Sequence, residues 1–338
     1  MIIFAINLML AMSIGAAFGY ASNSGKFCMN SGFRNLWKLK DTSLFKAYVL
    51  AISIQMMVIP ILSYFGFIKF SIPAFYPLGA ILGGFLFGMA MNWGGGCAAG
   101  IWYKLGNGNI GAFVAVVGLI AGYSATQSGL LKPFRLLIQS VGKSGSINSL
   151  SLSSLTNITL LLLSIPISIL LLYFILRPSI TLEKELSKKP EHSWYWRKTG
   201  LWVGIIGVLS WITSSLDDRS FGMAILPGSQ ESFDLLFRGD LKFAGWDMFF
   251  VIGIPVGAFL SSVRSASFKR LNISGKSIWK LSTGGFVMGV SGSLAGGCTV
   301  GHGLTGVPLL SIGSITFTIF TIWGAWMGVI INNKLRKP

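Results

Sequence analysis

The sequence predicts an all-α polytopic membrane protein of about nine transmembrane helices plus short broken half-helices, built as two halves of opposite topology. Three observations predict it. Hydrophobic residues are 52% of the 338 and charged residues only 11%, where a water-soluble domain carries about 25% charged. Nine apolar runs approach the roughly 20 residues that a bilayer demands of a helix. One glycine-rich segment occurs twice: residues 83–100 read GGFLFGMAMNWGGGCAAG, and residues 284–301 read GGFVMGVSGSLAGGCTVG.

The runs fall, in order, at 2–21, 45–68, 78–97, 108–130, 155–176, 199–216, 246–264, 281–301 and 311–332. The first has no basic leader and reads as a retained span. The third and eighth hold the repeated segment and are the least regular. Two connecting stretches, Lys132–Ser154 and Asp217–Gly245, are polar enough for the surface and are expected to hold short helices. The chain therefore reads as a single membrane domain over 1–338. Its first half covers 1–150, a connecting helix and cytoplasmic loop cover 151–198, and the second half covers 199–338.

Charge orients the spans. With the N-terminus outside and the C-terminus cytoplasmic, 20 of the 27 Lys and Arg residues fall on the inner side, as the positive-inside rule requires. The net charge of +17 follows from the same asymmetry. These charges flank apolar runs and form no single face, so nucleic-acid binding is excluded as their purpose. The prediction is a multi-pass protein of the cell (inner) membrane, surrounded by lipid.

The repeat aligns without a gap at an offset of 201, with Gly83 on Gly284, Phe85 on Phe286, Gly88 on Gly289, Gly96 on Gly297, Cys97 on Cys298 and Gly100 on Gly301. Two of the three cysteines thus occupy one position of a duplicated unit. The first copy enters from outside and the second, five crossings later, from inside. Upstream, Gly15 and Gly19 resemble Gly253 and Gly257. Nothing in the second half matches Cys28. Glycine-interrupted segments at matching places in inverted halves mark the site in many transporter folds.

From Gly84 to Cys97 is roughly 20 Å of helix, so each unit would carry its cysteine deep into the bilayer. Gly94, Gly95 and Gly96 before Cys97, and Gly296 and Gly297 before Cys298, break the helix and allow close backbone approach. Irregular backbone at that depth must be buried in protein or line a cavity. Tight small-residue helix packing is the plainer reading of such glycines. The cysteine after both runs favours a site.

The strings GKFCMNSGFR around Cys28, GGGCAAG around Cys97 and GGCTVGHG around Cys298 resemble the YeeE/YedE family of sulfur-transport membrane proteins, over roughly Gly15 to Gly328. The resemblance implies an inverted-repeat bundle pinched at its middle, with helices that stop part-way. It also implies thiosulfate uptake, the ion passing along Cys28, Cys97 and Cys298 by S–H···S hydrogen bonds, and a small TusA-like cytosolic sulfur-carrier protein as partner. The basic segment Arg177–Lys198 is a candidate docking face for it, although orientation already explains its charge.

Elementary chemistry agrees with that implication. A thiol is a weak donor and acceptor, soft and polarisable, and a neutral one does not repel a dianion. Helix N-termini after the glycine runs would add N–H donors for anionic oxygens. His302 lies four residues after Cys298 and shares its face on a helix. It reads either as a donor to the anion or as a packed histidine. Asn92 and Trp93 precede the first glycine run and are candidates to line the path. Arg34 reads either as an anion attractor or as a solvated inner charge.

No enzyme chemistry, cofactor or metal is expected. The chain has two histidines and no Met-rich spacing beside a cysteine, too few ligands for a soft metal. A membrane thiol–disulfide protein is one alternative, weakened by the absence of a CxxC pair. A channel for another small anion or a neutral solute, with cysteines that only pack, is the other. No carboxylate stands in the core of a run, so a proton relay has no obvious carrier. A dianion entering an inside-negative cell climbs roughly 4.6 kcal/mol per 100 mV, and a passive conduit would work only if the ion is consumed on arrival.

Overall fold

The computed structural model describes residues 2–38, 41–142, 149–177, 194–239, 244–268 and 275–334. It is all-α. Among the described residues no strand forms, and Ser151 and Ser311 make only an isolated bridge. In order the helices are α1 (Ile2–Ser24), α2 (Met29–Lys38), α3 (Ser43–Tyr64), α4 (Pro77–Trp93), α5 (Ala98–Gly106), α6 (Ile110–Gln127) and α7 (Lys132–Ser140). There follow α8 (Leu152–Thr156), α9 (Leu160–Leu176), α10 (Trp196–Ser215), α11 (Leu226–Arg238), α12 (Trp246–Arg264) and α13 (Gly275–Ala295). A π-helix (Thr299–Gly306), a 3₁₀ turn (Val307–Leu309) and α14 (Ile312–Lys334) complete it.

A helix lies over each of the nine apolar runs. Among the described residues, five helical stretches are long and apolar enough to cross a membrane: Ser43–Tyr64, the broken pair Pro77–Gly106, Ile110–Gln127, Trp246–Arg264 and Ile312–Asn332. The multi-pass class follows from these. Local signals explain the ends. Pro77 stands at the start of α4, where its missing N–H costs nothing. Asn109 caps α6 by accepting from the Ala112 N–H. The run at 155–176 is split by Asn157, which takes a left-handed conformation after α8. The two polar connections hold α7 and α11, as expected. The amphipathic α2 was not foreseen: its basic residues read only as a charged connection.

Glycines set which helices touch. On α1 and α12, a β-carbon added at Gly15 would strike the Phe250 carbonyl oxygen, and one at Gly19 that of Ile254. Reciprocally, one at Gly253 would strike the Met12 carbonyl and one at Gly257 that of Ala16. The same exchange recurs where α4 meets α14 and α13 meets α6. Gly84 and Gly88 lie against the Phe317 and Thr321 carbonyls, and Gly285 and Gly289 against those of Ala115 and Leu119. Backbones approach this closely only where side chains are absent. α4 and α13 also run side by side and antiparallel, Gly79 beside Leu294 and Gly94 beside Gly284.

The basic segment proposed above as a docking face lies mostly outside the described residues, as do Lys40, Lys269, Arg270, Arg336 and Lys337.

Candidate functional site: two cysteine loops between two cavities

The two glycine–cysteine segments have the same local geometry. α4 stops at Trp93, and Gly95 follows with φ +78°. α13 stops at Ala295, and Gly296 follows with φ +82°. A side chain would strain either position, and glycine makes the turn without cost. Each turn closes one residue later. The Gly96 N–H donates to the Met91 carbonyl at 3.1 Å, and the Gly297 N–H to the Gly292 carbonyl at 2.8 Å. The chain then extends through Cys97 (ψ 173°) and Cys298 (ψ −177°), and each cysteine carbonyl accepts from the residue four on, Ile101 or His302. So the descending helix ends before the cysteine, and a new helix begins just after it. The two halves differ there, with the α-helix α5 after Cys97 and the π-helix after Cys298.

Cys28 sits between α1 and α2 and turns inward. Its sulfur lies 3.7 Å from that of Cys97, within S–H···S reach and far outside the roughly 2.05 Å of a disulfide bond. All three cysteines are free and buried. The Cys97 sulfur also accepts from the Gly100 N–H at 3.3 Å. Asn30 ties the start of α2 to the end of α4 by donating to the Met91 carbonyl at 3.0 Å.

Two cavities flank this centre. The first, about 330 Å³, is lined by Gly296, Gly297, Cys298, His302, Arg135 and Arg219, among others. The second, about 750 Å³, is lined by Lys26, Tyr103, Lys104, Asn107, Ser261 and Arg264, among others. They stand at opposite ends of α12. Arg219 of the first cavity binds Asp247 near the start of that helix, and Ser261 of the second lies 14 residues further on, roughly 21 Å along the axis. The cavity that holds Cys298 is thus separated from the cationic one by most of a bilayer core.

The predicted residues are placed as follows. Gly296, Gly297, Cys298 and His302 come together at the first cavity. Gly95 is reached from the second, its carbonyl accepting from Lys104, which lines that cavity. Cys97 and Gly96 are buried behind it. Asn92 lines neither cavity and donates to the Ala325 carbonyl at 3.0 Å, tying α4 to α14. Arg34 lines neither. His302 has both ring nitrogens engaged, Nε2 with the Ala295 carbonyl at 3.1 Å and Nδ1 with the Ser314 hydroxyl at 3.0 Å. A carbonyl only accepts, so Nε2 carries the proton. Its ring lies 4.5 Å from that of Phe317.

Sequence reasoning missed Arg135, Arg219 and their surroundings. Arg219 Nε and Nη2 donate to the two Asp247 carboxylate oxygens at 2.9 and 2.6 Å, and Nη1 reaches the Phe221 and Gly222 carbonyls. Beside it, Glu231 accepts from the Met248 N–H at 3.0 Å. Burial, and then the Asp247 charge, push the Glu231 carboxyl up to about 7. One signal for Arg135 and Arg219 was available: both are arginines in segments assigned to the side poor in positive charge. Among the described residues no group of three or more His, Cys, Asp or Glu could hold a metal ion.

A family model described as sulphur transport, Sulf_transp, matches residues 24–327. The thiosulfate transporter TsuA of Escherichia coli strain K12 is 27% identical over 323 residues, 92% of this chain and 91% of that protein. The thiosulfate transporter TsuA of Spirochaeta thermophila is 31% identical over 325 residues, 93% of this chain and 95% of that protein. The probable transporter YedE of Escherichia coli strain K12 is 29% identical over 104 residues, 30% of this chain and 25% of that protein.

Proposed function

Because this chain belongs to the sulphur-transport family, we propose that it takes up thiosulfate across the cell membrane along its cysteine thiols. Two glycine–cysteine loops of one geometry, set between cavities at opposite ends of the bundle, carry this reading. The reciprocal glycine contacts of α1 with α12, and of α4 with α14 against α13 with α6, support two halves of inverted topology, with 1–150 as the first and 199–338 as the second. The first cavity then faces outside. The second, with Lys26, Lys104 and Arg264, faces the cytoplasm, in keeping with the positive-inside rule.

In this mechanism the anion meets Cys298 first, its soft terminal sulfur accepting from the neutral thiol. It passes to Cys97 and then to Cys28, whose sulfurs are one hydrogen-bond step apart. Each contact is weak, which suits a path where binding must permit both entry and exit. The extended backbone before α5 and before the π-helix turns N–H groups toward the ion's oxygens. His302, with both nitrogens engaged, shapes the first cavity and holds the second loop to α14. Lys104 draws the dianion to the inner cavity, where a TusA-like sulfur carrier consumes it and so offsets the climb against the membrane potential.

The test is uptake of radiolabelled thiosulfate by cells or vesicles carrying Cys28→Ala, Cys97→Ala or Cys298→Ala. Cys97→Ala is expected to abolish uptake, with Cys28→Ala and Cys298→Ala reducing it. Near wild-type uptake by all three, at equal protein levels, would reject the relay.

A further inference from the structure

The cavity that holds Cys298 is lined by two arginines and a histidine, and two of these three side chains are already satisfied. Arg219 spends its donors on Asp247 and on two backbone carbonyls. His302 has a partner at each nitrogen. Arg135, on α7, is different. Its Nη1 reaches Gln139 Oε1 only at 3.4 Å and its Nη2 the Gln127 carbonyl only at 3.5 Å, both at the edge of hydrogen-bond range. Its Nε is buried without any acceptor. The ion pair between described residues in this cavity joins Arg219 to Asp247, and no described carboxylate pairs with Arg135.

A partly buried guanidinium with only weak neutral partners is costly unless an anion completes it. Gln139 supplies only a neutral, distant acceptor, because its Nε2 donates to the Ser293 and Leu294 carbonyls at 3.1 Å each and so holds its Oε1 3.4 Å from Arg135. That pair of bonds fixes the end of α7 against the end of α13 and aligns Arg135 with the Gly296–Cys298 turn across the same cavity. At about 330 Å³ the space admits a small ion with some of its water and excludes a polymer.

We propose that Arg135 is the anion-capture residue of this cavity. Its planar fork takes the S–O oxygens of an incoming oxyanion, while the opposite end of the ion points at the Cys298 thiol. Capture is then two-ended. The arginine recognises what thiosulfate shares with sulfate, and the thiol recognises what sulfate lacks. This inference rests on the thiosulfate reading above and adds the oxygen-end contact to it.

The experiment measures initial rates of labelled thiosulfate uptake into vesicles for the wild type, Arg135→Gln, Arg135→Met and Arg135→Lys, across thiosulfate and salt concentrations and with sulfate as competitor. Losing a charge-assisted contact is expected to raise KM about tenfold in both neutral variants, with the maximal rate within about twofold. The constant for sulfate inhibition should rise in step, the salt dependence of KM should flatten, and Lys should restore part of the affinity. A purely structural side chain would leave the salt dependence unchanged and would be replaced well by Met. Wild-type vesicles that take up no thiosulfate would overturn the functional reading itself. Wild-type uptake together with an unchanged KM in whichever neutral variant reaches the membrane intact would overturn the role of Arg135 alone.

Discussion

The sulfurs of Cys28 and Cys97 lie 3.7 Å apart, and Gly100 leaves the room in which they meet. A β-carbon at Gly100 would stand 2.8 Å from the Cys28 sulfur and 3.3 Å from that of Cys97. The first is closer than a β-carbon comes to any neighbour and the second is tight, so a methyl group must push the Cys28 sulfur aside. The counterpart, Gly301, has only a ring atom of Phe221 nearby, at 3.9 Å. The thiol pair belongs to one half alone.

Gly100→Ala therefore separates a local effect on transport from a global one on folding. Thiosulfate uptake is expected to fall at least about tenfold, while overpacking of this kind costs about 1–3 kcal/mol of stability. Gly301→Ala is the control and should be mild. Uptake and thermal midpoint measured on the same preparations check this. Equal uptake by the two variants would remove the sulfur contact from the mechanism.

The α1–α12 crossing depends on four glycines whose missing side chains let backbone meet backbone. Leucine at Gly19 or Gly257 would drive carbon into the Ile254 or Ala16 carbonyl. Both variants are expected to lose the folded protein, seen as aggregation on size-exclusion chromatography in detergent. Leucine at Gly66, which has nothing within 4 Å but a φ of +76°, should cost only about 1 kcal/mol of backbone strain and leave a monodisperse peak.

The ion pair of Arg219 with Asp247 is largely buried, with side-chain exposures of 18% and 9%. Removing one partner strands the other charge, at a cost of about 3–5 kcal/mol. Arg219→Met and Asp247→Leu are each expected to lower the thermal midpoint sharply, and the double variant to lose less than their sum. Strictly additive losses in a thermal double-mutant cycle would mean the pair does not act as a unit.

Glu231 gives a pH dependence whose sign follows from linkage. Its folded pKa is raised to about 7 by burial and by Asp247, above an unfolded value of about 4.3. The folded state binds the proton more tightly, so this contribution is complete below about pH 4.3 and is lost as pH rises through 7. Thermal midpoints between pH 5 and pH 8.5 should fall more steeply for the wild type than for Glu231→Gln. Parallel curves for the two proteins would contradict the assignment.

Much of the fold was legible because its signals are local. Apolar runs of bilayer length gave the helices, and the glycine strings gave the breaks. The apolar runs extend to 97 and 301, and the glycines expected to break them do so: the helices stop at Trp93 and Ala295, and Gly95 and Gly296 take the left-handed turn. Asn92, expected on the path, instead ties α4 to α14. His302 shares the wall of the first cavity with Cys298 as its spacing suggested, but Ser314, twelve residues on, occupies its Nδ1.

By itself, the sequence determined the membrane class, the family and the duplicated cysteine turn, since composition, run length and a glycine at a required φ act within a few residues. Tertiary structure alone decided which sulfurs meet, which arginine is neutralised and which is left with weak partners. Cys28 and Cys97 are 69 residues apart and Arg219 and Asp247 are 28 apart. Contacts across such separations leave no periodic trace in a chain. They exist because helices without side chains at their crossings can close to backbone contact and bring distant segments to one place.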